Sequence, residues 1–274
     1  MSGGADVVGQ LGPLPIYVFG LAAALGFAAG TAVSLVQAWR LGLDPAVLFQ
    51  AAPLVMLAGV LGGRLGYVLV HWRDYRGHPA AVLHLPEGGF VLYGGLVAGA
   101  GALVWWARRA QMDPWRALDA AAPGLALGQA IGLVGAALPA PATACGIILS
   151  YGLFFYLWRL GTQWPARGRL FFAYLFLHGF GWLVIDVWTP AQRALGLTLG
   201  QWAALAAMIA AGAGFAWGPR RWLAPRRPGG RWVTRRLIRP EPYPVSRWRQ
   251  RMWGAGAWLG GLALLLGLHA MRWL

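Results

Sequence analysis

Ala51-Ala52-Pro53-Leu54-Val55-Met56-Leu57-Ala58-Gly59-Val60-Leu61-Gly62-Gly63-Arg64-Leu65-Gly66-Tyr67-Val68-Leu69-Val70 is an apolar run broken by one charge, Arg64. It closes a longer run over 45–70. At 1.5 Å per residue a helix of about 20 residues crosses a ~30 Å hydrocarbon core. Runs of the same kind lie at 14–39, 90–107, 117–138, 144–160, 170–189, 197–217 and 252–271. The pattern predicts an all-α, polytopic membrane helix bundle.

Composition agrees. Of 274 residues, 58% are hydrophobic and 11% charged, against roughly 25% charged in soluble domains. That excludes a water-soluble enzyme and a disordered chain. The 41 glycines suit close helix packing in lipid, and the 17 tryptophans suit membrane–water boundaries. All 23 basic residues are Arg, and the net charge is +15. In a soluble protein that would suggest nucleic acid; here it reads as positive charge on cytoplasmic loops, and no nucleic acid is expected. Cys145 stands alone, so it forms no intramolecular disulfide and reads as a packing residue. No basic residue precedes Arg40, which argues against a secretory signal peptide.

With the N-terminus outside, Arg40, Arg108, Arg109, Arg116, Arg159, Arg167, Arg169 and the 219–251 segment face the cytoplasm. Arg64, Arg73, Arg76, Arg193 and Arg272 remain outside. Pro219, Pro225, Pro228, Pro240, Pro242 and Pro244 forbid a long helix through 219–251. The reading is a membrane domain over 1–218, a basic Arg/Pro-rich cytoplasmic arm over 219–251 and an extra transmembrane helix over 252–274. No internal repeat is visible.

Charge at membrane depth is costly and marks function by default. Arg64, flanked by glycines, reads either as a fork for a phosphate or as a snorkelling side chain. Glu87 reads as an ion-pair partner of Arg64, Arg73 or Arg76, or as a proton-transfer group. Gln129 lies mid-membrane and Asp119 near the start of its run. His178 and Asp186 share a helix face but stand about 12 Å apart along the axis, too far for a direct bond. His178 is therefore expected to bond a neighbouring helix, and Asp186 to sit at the interface. His71, His78 and His84 lack tight zinc spacing, so no metal and no cofactor is expected.

Gly62-Gly63-Arg64-Leu65-Gly66-Tyr67, followed by Glu87-Gly88-Gly89-Phe90-Val91-Leu92-Tyr93-Gly94-Gly95-Leu96, resembles the bacterial prolipoprotein diacylglyceryl transferase family. Leu25-Gly26-Phe27, Leu127-Gly128-Gln129-Ala130-Ile131-Gly132, Gly168-Arg169-Leu170-Phe171 and Gly196-Leu197-Thr198-Leu199-Gly200-Gln201-Trp202 extend the resemblance in order over residues 14–217. It implies seven spans, an outside N-terminus and a bacterial inner-membrane location. It also implies transfer of diacylglyceryl from phosphatidylglycerol to a lipobox cysteine thiol of a prolipoprotein signal peptide. By resemblance Arg64, Gly94, Gly95 and Gln129 would bind phospholipid, with Tyr93 and Glu87 as catalytic candidates. The span at 252–271 lies outside the family pattern.

The departures concern chemistry. The family's His, two Arg and Asn fall at Tyr93, Leu133, Trp182 and Ala136. A thiol attacks as its thiolate, which needs a base, and an anionic leaving group in low dielectric needs a cation. Leu133 and Trp182 supply no charge. Three readings follow: a transferase with a rearranged site, a non-catalytic phospholipid- or lipoprotein-binding relative, and a small transporter or structural membrane subunit.

Overall fold

The computed structural model describes residues 7–11, 14–75, 89–135, 140–161, 167–188, 193–194 and 196–222. A short antiparallel hairpin, β1 (Val7–Leu11) and β2 (Leu14–Tyr17), leads into α1 (Val18–Arg40). Then come α2 (Pro45–Val70), the single turn α3 (Trp72–Tyr75), α4 (Leu92–Arg109) and α5 (Pro114–Gly132). A 3-10 turn (Leu133–Gly135) extends α5. α6 (Ala140–Leu160) and α7 (Arg169–Ile185) follow, and a minimal hairpin, β3 (Arg193–Ala194) with β4 (Leu197–Thr198), precedes α8 (Leu199–Trp222).

The all-α bundle expected from hydropathy is present, with the two small hairpins as additions. α1, α2, α5, α6 and α8 are long and apolar enough to cross a membrane, and α7 is apolar but shorter. α4 is less apolar because glycines and Arg108–Arg109 occupy much of it. α2 covers the expected 45–70. α5 begins at Pro114, ahead of the expected 117, because Asp113 caps it and Pro114 fits the first helical position. α8 runs through Pro219 to Trp222, into the stretch expected to be irregular. The rest of the 219–251 arm and the 252–271 run lie outside the described residues.

An internal repeat, not visible in the amino-acid pattern, emerges from the contacts. One constant displacement along the chain takes Arg40 to Arg109, Asp44 to Asp113 and Pro45 to Pro114. The turns match bond for bond. Leu43 N–H donates to Ala38 O at 2.9 Å, and Met112 N–H to Ala107 O at 2.8 Å. Gly42 and Gln111 both take the left-handed conformation, at φ 68° and 56°. Asp44 accepts from Ala46 N–H at 2.9 Å, and Asp113 from Trp115 N–H at 3.1 Å.

The helix crossings match as well, since the same displacement takes Gly26 to Gly95, Gly30 to Gly99 and Gly59 to Gly128. α1 crosses α5 so closely that a Cβ on Gly26 would lie 2.4 Å from Gly128 O and one on Gly30 2.6 Å from Gly124 O. On α2 and α4 the counterpart of the Gly26–Gly128 approach is as close, with a Cβ on Gly95 2.8 Å from Gly59 O, whereas one on Gly99, the counterpart of Gly30, would make an ordinary contact at 3.7 Å from Val55 O. Small residues let helix backbones meet where lipid gives no hydrophobic drive. Thus hairpin α1–α2 and hairpin α4–α5 are pseudo-equivalent, each helix packing hardest on the other hairpin. Their shared core pairs Ala38 with Ala107, Leu48 with Ala117, Phe49 with Leu118 and Ala51 with Ala120, all buried. α6 and α7 lie against α5, and α8 lies against α7.

Candidate functional site

α7 places Tyr174, His178 and Trp182 four residues apart, hence on one face. That face meets Tyr93 at the start of α4 and Gln129 near the end of α5. The His178 ring stacks on Tyr174 with centroids 5.2 Å apart and an interplanar angle of 21°. Tyr93 meets it edge-on at 5.8 Å, and Trp182 lies 6.2 Å away. The Tyr174 hydroxyl donates to Gln129 Oε1 at 3.4 Å.

The remaining polar atoms have no hydrogen-bond partner among the described residues. They are Tyr93 Oη, Gln129 Nε2, Trp182 Nε1 and both ring nitrogens of His178, whose side chain is fully buried. Among the described residues His178 therefore makes no interhelical hydrogen bond of the kind expected of it; aromatic rings lie around it instead. A buried polar group left unsatisfied costs about 1–3 kcal/mol, and native structures seldom keep several together. Such a group of atoms on three helices suits a polar ligand within the bundle.

Arg64 is 3% exposed, so it does not snorkel. Its Nη1 donates to Gly89 O at 3.4 Å, and its guanidinium lies 5.6 Å from the Tyr75 ring and 5.9 Å from the Tyr67 ring. Gly89 needs its positive φ of 76°, and a Cβ there would lie 2.6 Å from Tyr67. Gly94 and Gly95 face α2: their Cβ positions would come 2.5 Å from Gly62 O and 2.8 Å from Gly59 O. Both glycines are taken up by the helix crossing. Glu87 and Ala136 lie outside the described residues, as do His78 and His84.

Leu133 and Trp182 converge. A Cβ on Gly146 would lie 3.1 Å from Leu133 Cδ1 and 3.3 Å from Trp182 Cζ2. The two positions where the resemblance places arginines therefore meet at the edge of the His178 cluster, filled here by an isobutyl group and an indole.

The other intramembrane acids have structural partners. Asp119 accepts from Gly168 N–H at 2.7 Å and Phe171 N–H at 3.0 Å, capping α7 from α5. Asp186 accepts from the Thr198 hydroxyl, tying the end of α7 to the start of α8. Thr198 and Gln201 form a reciprocal cap there, at 3.0 and 3.1 Å. Sequence reasoning missed Tyr174 and did not group His178 with Tyr93 and Gln129. The four-residue spacing of Tyr174, His178 and Trp182 was the available signal. Among the described residues no His, Cys, Asp and Glu cluster suits a metal ion.

A family model described as prolipoprotein diacylglyceryl transferase matches residues 6–143. A Synechococcus elongatus protein named phosphatidylglycerol–prolipoprotein diacylglyceryl transferase is 36% identical over 123 residues, covering 45% of this chain and 43% of that protein. Relatives of the same name from Bacillus cereus and Bacillus anthracis are 31% and 30% identical, each covering 45% of this chain and 46% of the relative. The chain thus spans about half the length of the curated relatives it matches.

Proposed function

The chain belongs to the prolipoprotein diacylglyceryl transferase family, and from that premise we propose that it holds a glycerolipid between α4, α5 and α7 while carrying out little or no diacylglyceryl transfer. It is a multi-pass membrane protein. Its N-terminus lies outside, which puts the turns at 41–44 and 110–113 in the cytoplasm beside Arg40, Arg108 and Arg109. The cluster around His178 then lies on the outer side of Tyr174, where a lipid of the outer leaflet can enter from between helices.

The observation that carries this reading is the set of polar atoms on Tyr93, Gln129, His178 and Trp182 that have no partner among the described residues. Hydroxyl, amide, imidazole and indole groups hold ester carbonyls and glycerol hydroxyls by hydrogen bonds. Family membership supplies the expected ligand class, since relatives are named for phosphatidylglycerol as donor and prolipoprotein as acceptor. The transfer itself breaks the glyceryl carbon–oxygen bond to phosphate and forms a carbon–sulfur bond. The departing phosphate needs cations aimed at it, and each lost contact of this kind typically costs about 10²–10³ in rate. Leu133 and Trp182 offer none. Arg64, buried against Gly89, Tyr67 and Tyr75, remains as the cation at a matched position, with Glu87 and Tyr93 as the other matched polar groups and Gly94 and Gly95 shaping the outer end of α4.

A transferase with a rearranged site draws on one observation: His178, opposite Tyr93, brings an imidazole from α7 near the α4 position that holds the family's His. Incubating purified full-length protein with phosphatidylglycerol and a lipobox peptide separates the readings. We expect co-purifying glycerolipid and no thioether above the rate without protein. Steady thioether formation, lost in His178→Gln, would establish the rearranged site and overturn the binding role.

A further inference from the structure

The pseudo-equivalent hairpins give the site an internal control. The displacement that takes Gly59 to Gly128 and Gly63 to Gly132 takes Arg64 to Leu133. In one hairpin this register position buries a guanidinium to 3% exposure; in the other it buries an isobutyl group to 8%. The Arg64 copy lies against Gly89 and the rings of Tyr67 and Tyr75. The Leu133 copy lies beside Trp182 at the edge of the unpartnered cluster. Of the two copies, the one next to Tyr67 therefore carries a guanidinium and the one beside Trp182 an isobutyl group.

The unpartnered atoms are all on neutral side chains. Trp182 Nε1 and Gln129 Nε2 donate, Tyr93 Oη donates or accepts, and a neutral imidazole offers one donor and one acceptor. None of these atoms bonds to a guanidinium among the described residues. Asp186 follows Trp182 by one helical turn, and its carboxylate accepts from the Thr198 hydroxyl. An anion in low dielectric needs a paired cation, whereas hydroxyls and ester carbonyls need only hydrogen bonds.

We infer that this site takes the uncharged glyceryl ester region of a lipid that lacks a phosphate head group, a diacylglycerol-type lipid, and that Leu133 sets this preference. The inference rests on the glycerolipid-binding reading above and narrows its ligand. A free glycerol hydroxyl would donate to the acceptor nitrogen of His178, and the ester carbonyls would accept from Trp182 Nε1 and Gln129 Nε2. No covalent step is involved.

The test is native mass spectrometry of the delipidated full-length protein titrated with dioleoylglycerol and with dioleoylphosphatidylglycerol. We expect the diacylglycerol to bind about tenfold tighter, the worth of one or two hydrogen bonds to a ligand. Tyr93→Phe should weaken diacylglycerol binding severalfold. Leu133→Arg, at a register position whose counterpart already buries an arginine, should reverse the preference. Trp182→Arg brings the same charge to the same spot from α7 and serves if Leu133→Arg does not fold. Equal or tighter phosphatidylglycerol binding by the wild type, still sensitive to Tyr93→Phe, overturns this inference and leaves the glycerolipid site standing. Retention of neither lipid overturns both. A folded arginine variant that still prefers diacylglycerol removes Leu133 as the determinant.

Discussion

At the arginine-rich end of the bundle, Asp44 and Asp113 cap α2 and α5, and Asp119 caps α7 from a neighbouring helix. There Arg116 donates to Leu41 O, Arg40 lies 3.6 Å over the Trp158 ring and Trp106 donates to Val47 O at 3.0 Å. Gln37, buried beside Gly161, differs, with both amide atoms lacking a partner among the described residues. Between α4, α5 and α7 the balance is the reverse: Tyr93, Gln129, His178 and Trp182 keep buried atoms with no partner among the described residues. Polar groups at the first region hold helices together, so removing them should destabilise. Those at the second cost stability in the absence of ligand, so removing them should stabilise the protein and weaken binding.

The largest effect should come from Asp119→Ala. It strips two buried backbone N–H groups of their carboxylate, a loss of about 3 kcal/mol by the usual value of charge-assisted hydrogen bonds. Denaturant unfolding in mixed micelles reads it, and a loss below about 1 kcal/mol would dissolve the contrast between the regions. Next come the twin glycines. Gly26→Ala and Gly95→Ala each push a methyl group to within 3 Å of a facing carbonyl, at about 2 kcal/mol apiece. Their costs should be similar if the hairpins are equivalent, and a penalty at one site alone would break the pairing.

Tyr93→Phe should change sign. It removes a buried unpartnered hydroxyl, so the lipid-free protein should gain up to about 1 kcal/mol while lipid retention falls. A destabilised variant would mean that the hydroxyl has a structural partner. The smallest effect belongs to Arg167→Ala. Its ion pair with Asp113 is 2.9 Å long, but the arginine side chain is 50% exposed, so the change should stay under about 0.5 kcal/mol.

The helices were legible because lipid imposes length and apolarity on each segment separately. Arg64 was legible as a special residue because charge at that depth is costly, but its burial under Tyr67 and Tyr75 was not. Asp119 could not be read, since its partners lie 49 and 52 residues away and a carboxylate near a helix start looks interfacial. The His178 cluster needed three helices to be placed before its lack of partners could be seen. The repeat was hidden for another reason. Its matching positions are mainly Gly and Ala, common throughout this chain, so the correspondence stands out only when the crossings are compared atom by atom.

The crossed packing of the two hairpins also sets an order of events during synthesis. α1 and α2 leave the ribosome together, yet Gly26 and Gly30 wait for Gly128 and Gly124 on α5, and Gly62 waits for Gly94 on α4. At about 5–20 residues per second the gap between α1 and α5 lasts on the order of ten seconds. Throughout it the small-residue faces of the first hairpin have lipid or the insertion machinery as neighbours, not their own chain. Closure of the bundle is therefore a late step, taken once α5 has entered the membrane.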